Sequence, residues 1–165
     1  MMNRNVSNVL VGLLLLLIAG CGFHLRGAVV LPESLQSIYV QGIDITQGLG
    51  EELVQSLGDN DVNVVHSYQE GSAVLTVLEN KYERRVLSVG SDAKASEYSL
   101  YGLVQFKVTD GEGGILSEVQ DVEAMRDYQF DQTQVLGKSE EEDLLREDLN
   151  RQLVQSILRR LSAIK

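Results

Sequence analysis

The chain has 165 residues, 24 of them acidic and 14 basic, for a net charge of −10. That balance weighs against a nucleic-acid binder, which needs a basic face to neutralise phosphates. One cysteine, Cys21, rules out a disulfide within the chain.

Residues 9–20 are apolar, but a helix crossing a bilayer takes ~20 such residues, so the run is too short for a transmembrane anchor. A basic start with Arg4, an apolar stretch over 9–18 and the small Ala19 and Gly20 have the layout of a signal peptide spanning residues 1–20. Ile18-Ala19-Gly20-Cys21 resembles the bacterial lipobox, in which the cysteine thiol is alkylated by diacylglycerol before the cut. Cys21 is therefore the expected lipidation site, and its acyl chains the expected membrane anchor. Gly22 follows it, where an aspartate would resemble an inner-membrane retention signal, so the outer membrane is the expected address. Losing residues 1–20 removes one base, Arg4, and no acid, which leaves 145 residues of net charge −11. That is one domain's length, with a lipidated tether over 21–36 and a single domain over 37–165. Pro32, the only proline, pushes Leu31 toward an extended conformation.

In "SIYVQG" Ile38 and Val40 alternate with polar residues, which predicts a short first strand. Leu49, Leu53, Val54 and Leu57 recur at helical spacing. Gly58 follows where a left-handed residue would end the helix, and Gly48 and Gly50 weaken its start. "VNVVHSY" (62–68) predicts a second strand and the β-branched, aromatic run 73–89 a third. In the next strand Tyr98, Leu100, Val104, Phe106 and Val108 share one face, while Glu97, Ser99, Gln105, Lys107 and Thr109 share the other. "DGEGG" (110–114) tolerates positive φ and joins it in a hairpin to 115–130. That last strand is polar at Glu118, Gln120, Asp121 and Glu123, which suits a sheet edge.

Ser139 and Glu142 have capping-box spacing, and Leu145, Leu149, Leu153, Ile157, Leu161 and Ile164 form one apolar stripe. Acids at 140–143 and bases at Arg159, Arg160 and Lys165 suit the dipole of this second helix. The order β-α-β-β-β-β-α predicts an α+β fold: two helices packed on one face of a mostly antiparallel, mixed sheet of four to five strands.

No catalytic constellation is visible. His24 and His66 are the only histidines; the first lies three residues from the lipid anchor and the second in a predicted strand. With Cys21 committed to lipid, no zinc spacing remains. Asp59, Asp61, Asn63 and Glu70 match an EF-hand loop in spacing, but Val64 stands where the sharp turn needs glycine. "DGEGG" lacks the Lys-Ser/Thr of a phosphate loop. No metal, cofactor or enzymatic activity is expected. Bases are scarce enough to be informative: Lys81, Arg84, Arg85 and Lys94 fall on the third strand and the turn after it. Lys138 precedes the second helix, where a cation opposes the dipole at ~0.3–1 kcal/mol.

"CGFHLRG" (21–27) followed by Leu31-Pro32 resembles the mature N-terminus of the LptE family of lipopolysaccharide-assembly lipoproteins. "ASEYSLYGLVQFKV" (95–108) is similar to its central strand, and 135–161 to its closing helix with the preceding lysine. The resemblance implies a non-enzymatic outer-membrane lipoprotein that plugs the large β-barrel LptD, helps it assemble, and binds lipopolysaccharide during delivery to the cell surface. It also implies that Lys138 contacts lipopolysaccharide. A second basic residue expected near the tip between the third and fourth strands is Ser91 here, so Lys94, Arg84 or Arg85 would take its place. The alternative is a lipoprotein subunit of another envelope transport or assembly machine, without lipopolysaccharide contact.

Overall fold

A computed structural model of the chain describes residues 29–89, 95–129 and 138–164. The proposed signal peptide, Cys21, His24 and Lys94 lie outside the described residues. The elements are β1 (Ser37–Gln41), α1 (Gly48–Gly58), β2 (Asn63–Val65), β3 (Ala73–Val89), β4 (Ala95–Thr109), β5 (Ile115–Gln129) and α2 (Lys138–Leu161). The strands form one mixed sheet in the order β2-β1-β3-β4-β5. β1 pairs parallel with β2 and β3, while β3–β4 and β4–β5 are long antiparallel ladders. The two helices pack against each other on one face, in the expected α+β arrangement.

Alternation sets the two faces of β4. Leu100, Val104, Phe106 and Val108 are buried beneath the helices, and the odd-numbered side turns the other way. From above, Val104, Phe106 and Val108 share a core with Leu53 and Leu57 of α1 and Leu149, Leu153, Ile157 and Leu161 of α2, all six without exposed surface. Each such burial stabilises by ~1.5–3 kcal/mol. The buried side of α2 is wider than the single stripe read from the sequence, because Val154 and Leu158 also enter the core. β5 is the sheet edge, as its polar middle suggests. At the hairpin, Asp110 Oδ1 accepts from the N–H groups of Glu112 and Gly114 at 2.9 and 2.6 Å, and Gly113 takes φ +88°.

Several local expectations are corrected. The second strand is only Asn63–Val65, paired with Ser37–Tyr39 of β1, and it ends before Val40 and Gln41 of that partner, which leaves His66 exposed just beyond it. Gly58 is the last helical residue of α1, and the left-handed turn falls instead on Asp61, at φ 62°. Gly50 does not merely weaken α1: a Cβ there would stand 2.0 Å from the Asp44 carbonyl oxygen, so the approach of that loop requires glycine. α2 begins at Lys138, which puts Ser139 inside the helix rather than at its cap. The described part of the expected tether is packed down, with Leu31 and Leu35 buried and the Val29 N–H bonded to Asn60 Oδ1.

The third strand holds a bulge. The β3–β4 register shifts between Val77 and Glu79, so Leu78 is unpaired and half exposed. Before the bulge, odd residues such as Leu75 and Val77 face the helices; after it, the even residues Tyr82 and Arg84 do.

Candidate functional site

The fold is polar along its length. β1 runs alongside the start of β3, so the N-terminal arm and the Asp110–Gly114 turn lie at one end, here called proximal. α2 starts at the other, distal end, where Arg84 of β3 reaches Glu142 in its second turn. At ~1.5 Å per residue the 24-residue α2 spans ~36 Å between the two.

Neighbouring strand residues point oppositely, and the bulge turns Arg84 toward the helices and Arg85 away from them. On the face away from the helices, Glu83 takes Lys81 Nζ at 2.5 Å and Arg85 Nη2 at 2.7 Å, and the Arg85 guanidinium lies 4.0 Å from the Tyr101 ring centre. The hydrogen bond from Lys81, then that from Arg85, holds the Glu83 carboxyl below its ordinary range. The same contact with Glu83 raises the Lys81 pKa. Two bases from the sequence cluster are thus tied to one acid and turned away from α2.

Arg84 is on the helix face. Its guanidinium lies 5.0 Å from the Tyr98 ring centre, and Tyr98 stacks on Tyr128 at 5.8 Å. A hydrogen bond with the Tyr128 phenol, followed by the nearby charges, raises the Arg84 pKa, so this group stays cationic. Burial pushes the Tyr128 phenol upward in turn. Arg84 Nη1 is 3.5 Å from Glu142 Oε2, and Arg146 Nη2 is 3.3 Å from Glu142 Oε1. Arg146 also sits 5.5 Å from the Tyr82 ring, whose hydroxyl donates to buried Asn150 Oδ1 at 2.5 Å. The result is one carboxylate between two cations, each cation resting on a tyrosine.

Of the residues singled out from the sequence, Arg84 is thus brought to the start of α2, and Arg85 is not. Lys138 is the first residue of α2, four before Glu142, so its backbone belongs to the same end. No pattern in the sequence marks Glu142, Arg146 and the three tyrosines as parts of one site. The spacing of Glu142 and Arg146 does mark an ion pair along one helix, but their meeting with Arg84 depends on the sheet. The proximal end offers an open hollow of about 830 Å³ lined by Ser34, Tyr68, Glu70, Asp110 and Glu112. Among the described residues no base lines it.

Residues 35–161 match the family model LptE, described as lipopolysaccharide-assembly. The chain is 28% identical to the LPS-assembly lipoprotein LptE of Pectobacterium atrosepticum and 26% identical to that of Photorhabdus laumondii, over 99% of this chain and 88% of each relative. Among solved structures it is similar to lipoprotein B from Nitrosomonas europaea, with a TM-score of 0.69 and 28% identity over 86% of this chain and 91% of that one. A minor lipoprotein from Acinetobacter baumannii matches with a TM-score of 0.66 and 27% identity, covering 78% of this chain and 92% of that one. The distal tyrosine–arginine cluster and the tethered proximal arm are thus features of a chain that belongs to the LptE family of lipopolysaccharide-assembly lipoproteins, which are not enzymes.

Proposed function

We propose that the chain loses residues 1–20, is acylated on Cys21 and held in the outer membrane, and acts as one domain over residues 37–165. There it plugs an LptD-like β-barrel, helps that barrel assemble, and binds lipopolysaccharide on its way to the surface. The observation that carries the reading is the sheet face opposite the helices. It presents Lys81, Glu83, Arg85, Lys107, Asp121 and Glu123 from three adjacent strands, uncovered by any described element. The lumen of a membrane barrel is polar, whereas its outer wall is apolar. A charged, uncovered sheet face therefore suits a lumen and would be costly against lipid.

The polarity of the domain supports the same reading. Val29, where the packed arm begins, is eight positions after Cys21, and a chain that long spans at most ~28 Å. The proximal end is thus kept near the bilayer surface, while Arg84 of β3 and Lys138 at the start of α2 lie at the far end. Lipopolysaccharide phosphates need local cations on a protein this acidic. At physiological salt the Debye length is ~8 Å, so distant acids are muted while Lys138, Lys94 and Arg84 still act, with Arg85 contributing from the other face.

Photo-crosslinking residues placed at Leu103 and Met125, on the uncovered face, test the plug in cells. The expected products are adducts with a much larger outer-membrane barrel. Adducts only with lipid, or only with other envelope proteins, would contradict it.

A further inference from the structure

The ion pairs of Glu142 are longer than those of Glu83 and than Arg126–Asp148, and similar to Arg151–Asp148 at 3.4 Å. The two Glu142 oxygens lie 3.5 and 3.3 Å from Arg84 and Arg146, against 2.5 Å for Lys81–Glu83 and 2.7 Å for Arg85–Glu83. Strong charge-assisted bonds between nitrogen and oxygen fall near 2.7–2.9 Å. Neither arginine depends on this carboxylate for its position. Arg84 rests on Tyr98 beside Tyr128, and Arg146 rests on Tyr82, which Asn150 holds. If Glu142 swung away, two supported guanidinium groups would still face one gap. Both are about half exposed, so a ligand reaches them from solvent.

Resting on the lipopolysaccharide reading above, we propose that Glu142 is a displaceable internal anion: it fills the gap between Arg84 and Arg146 until a phosphate group of the ligand takes its place. A phosphate brings more charge and more acceptor oxygens than a carboxylate, and each arginine can grip it with two N–H groups. Val86, opposite Tyr98 in the ladder and more than half exposed, adds apolar surface beside the gap. This favours a phosphate carried on a lipid over free phosphate. Glu142 thereby sets the affinity, offsetting part of the charge of the two arginines when no ligand is present.

The test uses the full acylated chain in non-ionic detergent, titrated with diphosphoryl lipid A and separately with inorganic phosphate. Glu142→Gln is expected to tighten lipid A binding about fivefold at low salt, which corresponds to ~1 kcal/mol, with a smaller gain at high salt. Arg84→Gln and Arg146→Gln are expected to weaken it. Glu142→Asp, whose shorter side chain loses reach, gives the same direction of change if the glutamine variant folds poorly. Glu118→Gln on β5 removes an equal charge elsewhere and is expected to change nothing. Equal tightening for inorganic phosphate supports the displacement and assigns free phosphate as the occupant. An unchanged or weaker affinity in both Glu142 variants, or an equal gain in Glu118→Gln, overturns the proposal while lipopolysaccharide binding stands. Absence of lipid A and phosphate binding in the parent and every variant overturns both.

Discussion

Gly102 of β4 lies directly beneath Leu149 of α2: a Cβ built on the glycine would stand 2.9 Å from the leucine Cδ2, and equally close to Leu153 Cδ1. The glycine is what lets the helix settle on the sheet centre. Gly102→Val is expected to lower stability by ~1–3 kcal/mol through overpacking, with Gly102→Ala costing less because the leucine ends can shift. Thermal unfolding of the two variants checks this, and an undisturbed midpoint for the valine variant would mean that α2 does not rest there.

Asp148 of α2 pairs with Arg126 of edge strand β5 at 2.5 Å, and Arg126, with Arg151 in support, holds its carboxyl below the ordinary 3.8. In the unfolded chain the carboxyl titrates near that ordinary value. The pair's contribution is therefore fully present above about pH 4 and is lost as pH falls through the lower folded value. Asp44, held down first by the Thr46 N–H, and Glu83 act in the same direction. Unfolding measured from pH 6 to pH 2 should show Asp148→Asn less stable than the parent at pH 6, with the gap closing below pH 4. A gap that persists at pH 2 would assign the effect to packing.

The parts of this fold that were legible in the sequence are those whose periodicity is long. Both ends of β3 and the C-terminal end of β4 are legible, β4 starting at Ala95, two residues before the alternation from Glu97, and the Asp110–Gly114 turn announces itself by composition. β2 is shorter than the run 62–68 suggests: only Asn63–Val65 pair, with Ser37–Tyr39 of β1, and β-forming residue types do not mark where pairing stops. The bulge at Leu78 left no mark in a continuous β-forming run, yet it decides that Arg84 rather than Arg85 meets α2. Local spacing gives Glu142 only a capping role. Its partnership with Arg84 spans 58 positions, a distance at which local patterns are silent.

Cys21→Ala is expected to abolish acylation and cleavage by the lipoprotein signal peptidase, because no other thiol exists to accept the diacylglycerol. Mobility and metabolic labelling with palmitate report this. A variant of unchanged mobility that still partitions into membranes would contradict the lipobox assignment.

Reversing Lys138 and Lys94 together to Glu should weaken lipopolysaccharide binding by the purified protein, since each replaces a point attraction for phosphate with a repulsion. The thermal midpoint and co-purification with the barrel should stay nearly intact. Unchanged binding would remove these lysines from the site, and collapse of the fold would make them structural.

The central claim is that the chain is an assembly partner lodged within a barrel. A permanent interface of this kind commonly buries more than ~2,000 Å², enough for one partner's folding to depend on the other. The most direct measurement is the amount of folded, heat-modifiable LptD-like barrel in outer membranes as the protein is depleted. The expected result is a fall in folded barrel that tracks the depletion and is restored by re-expression, whereas barrel levels that hold steady after the protein is gone would contradict the account.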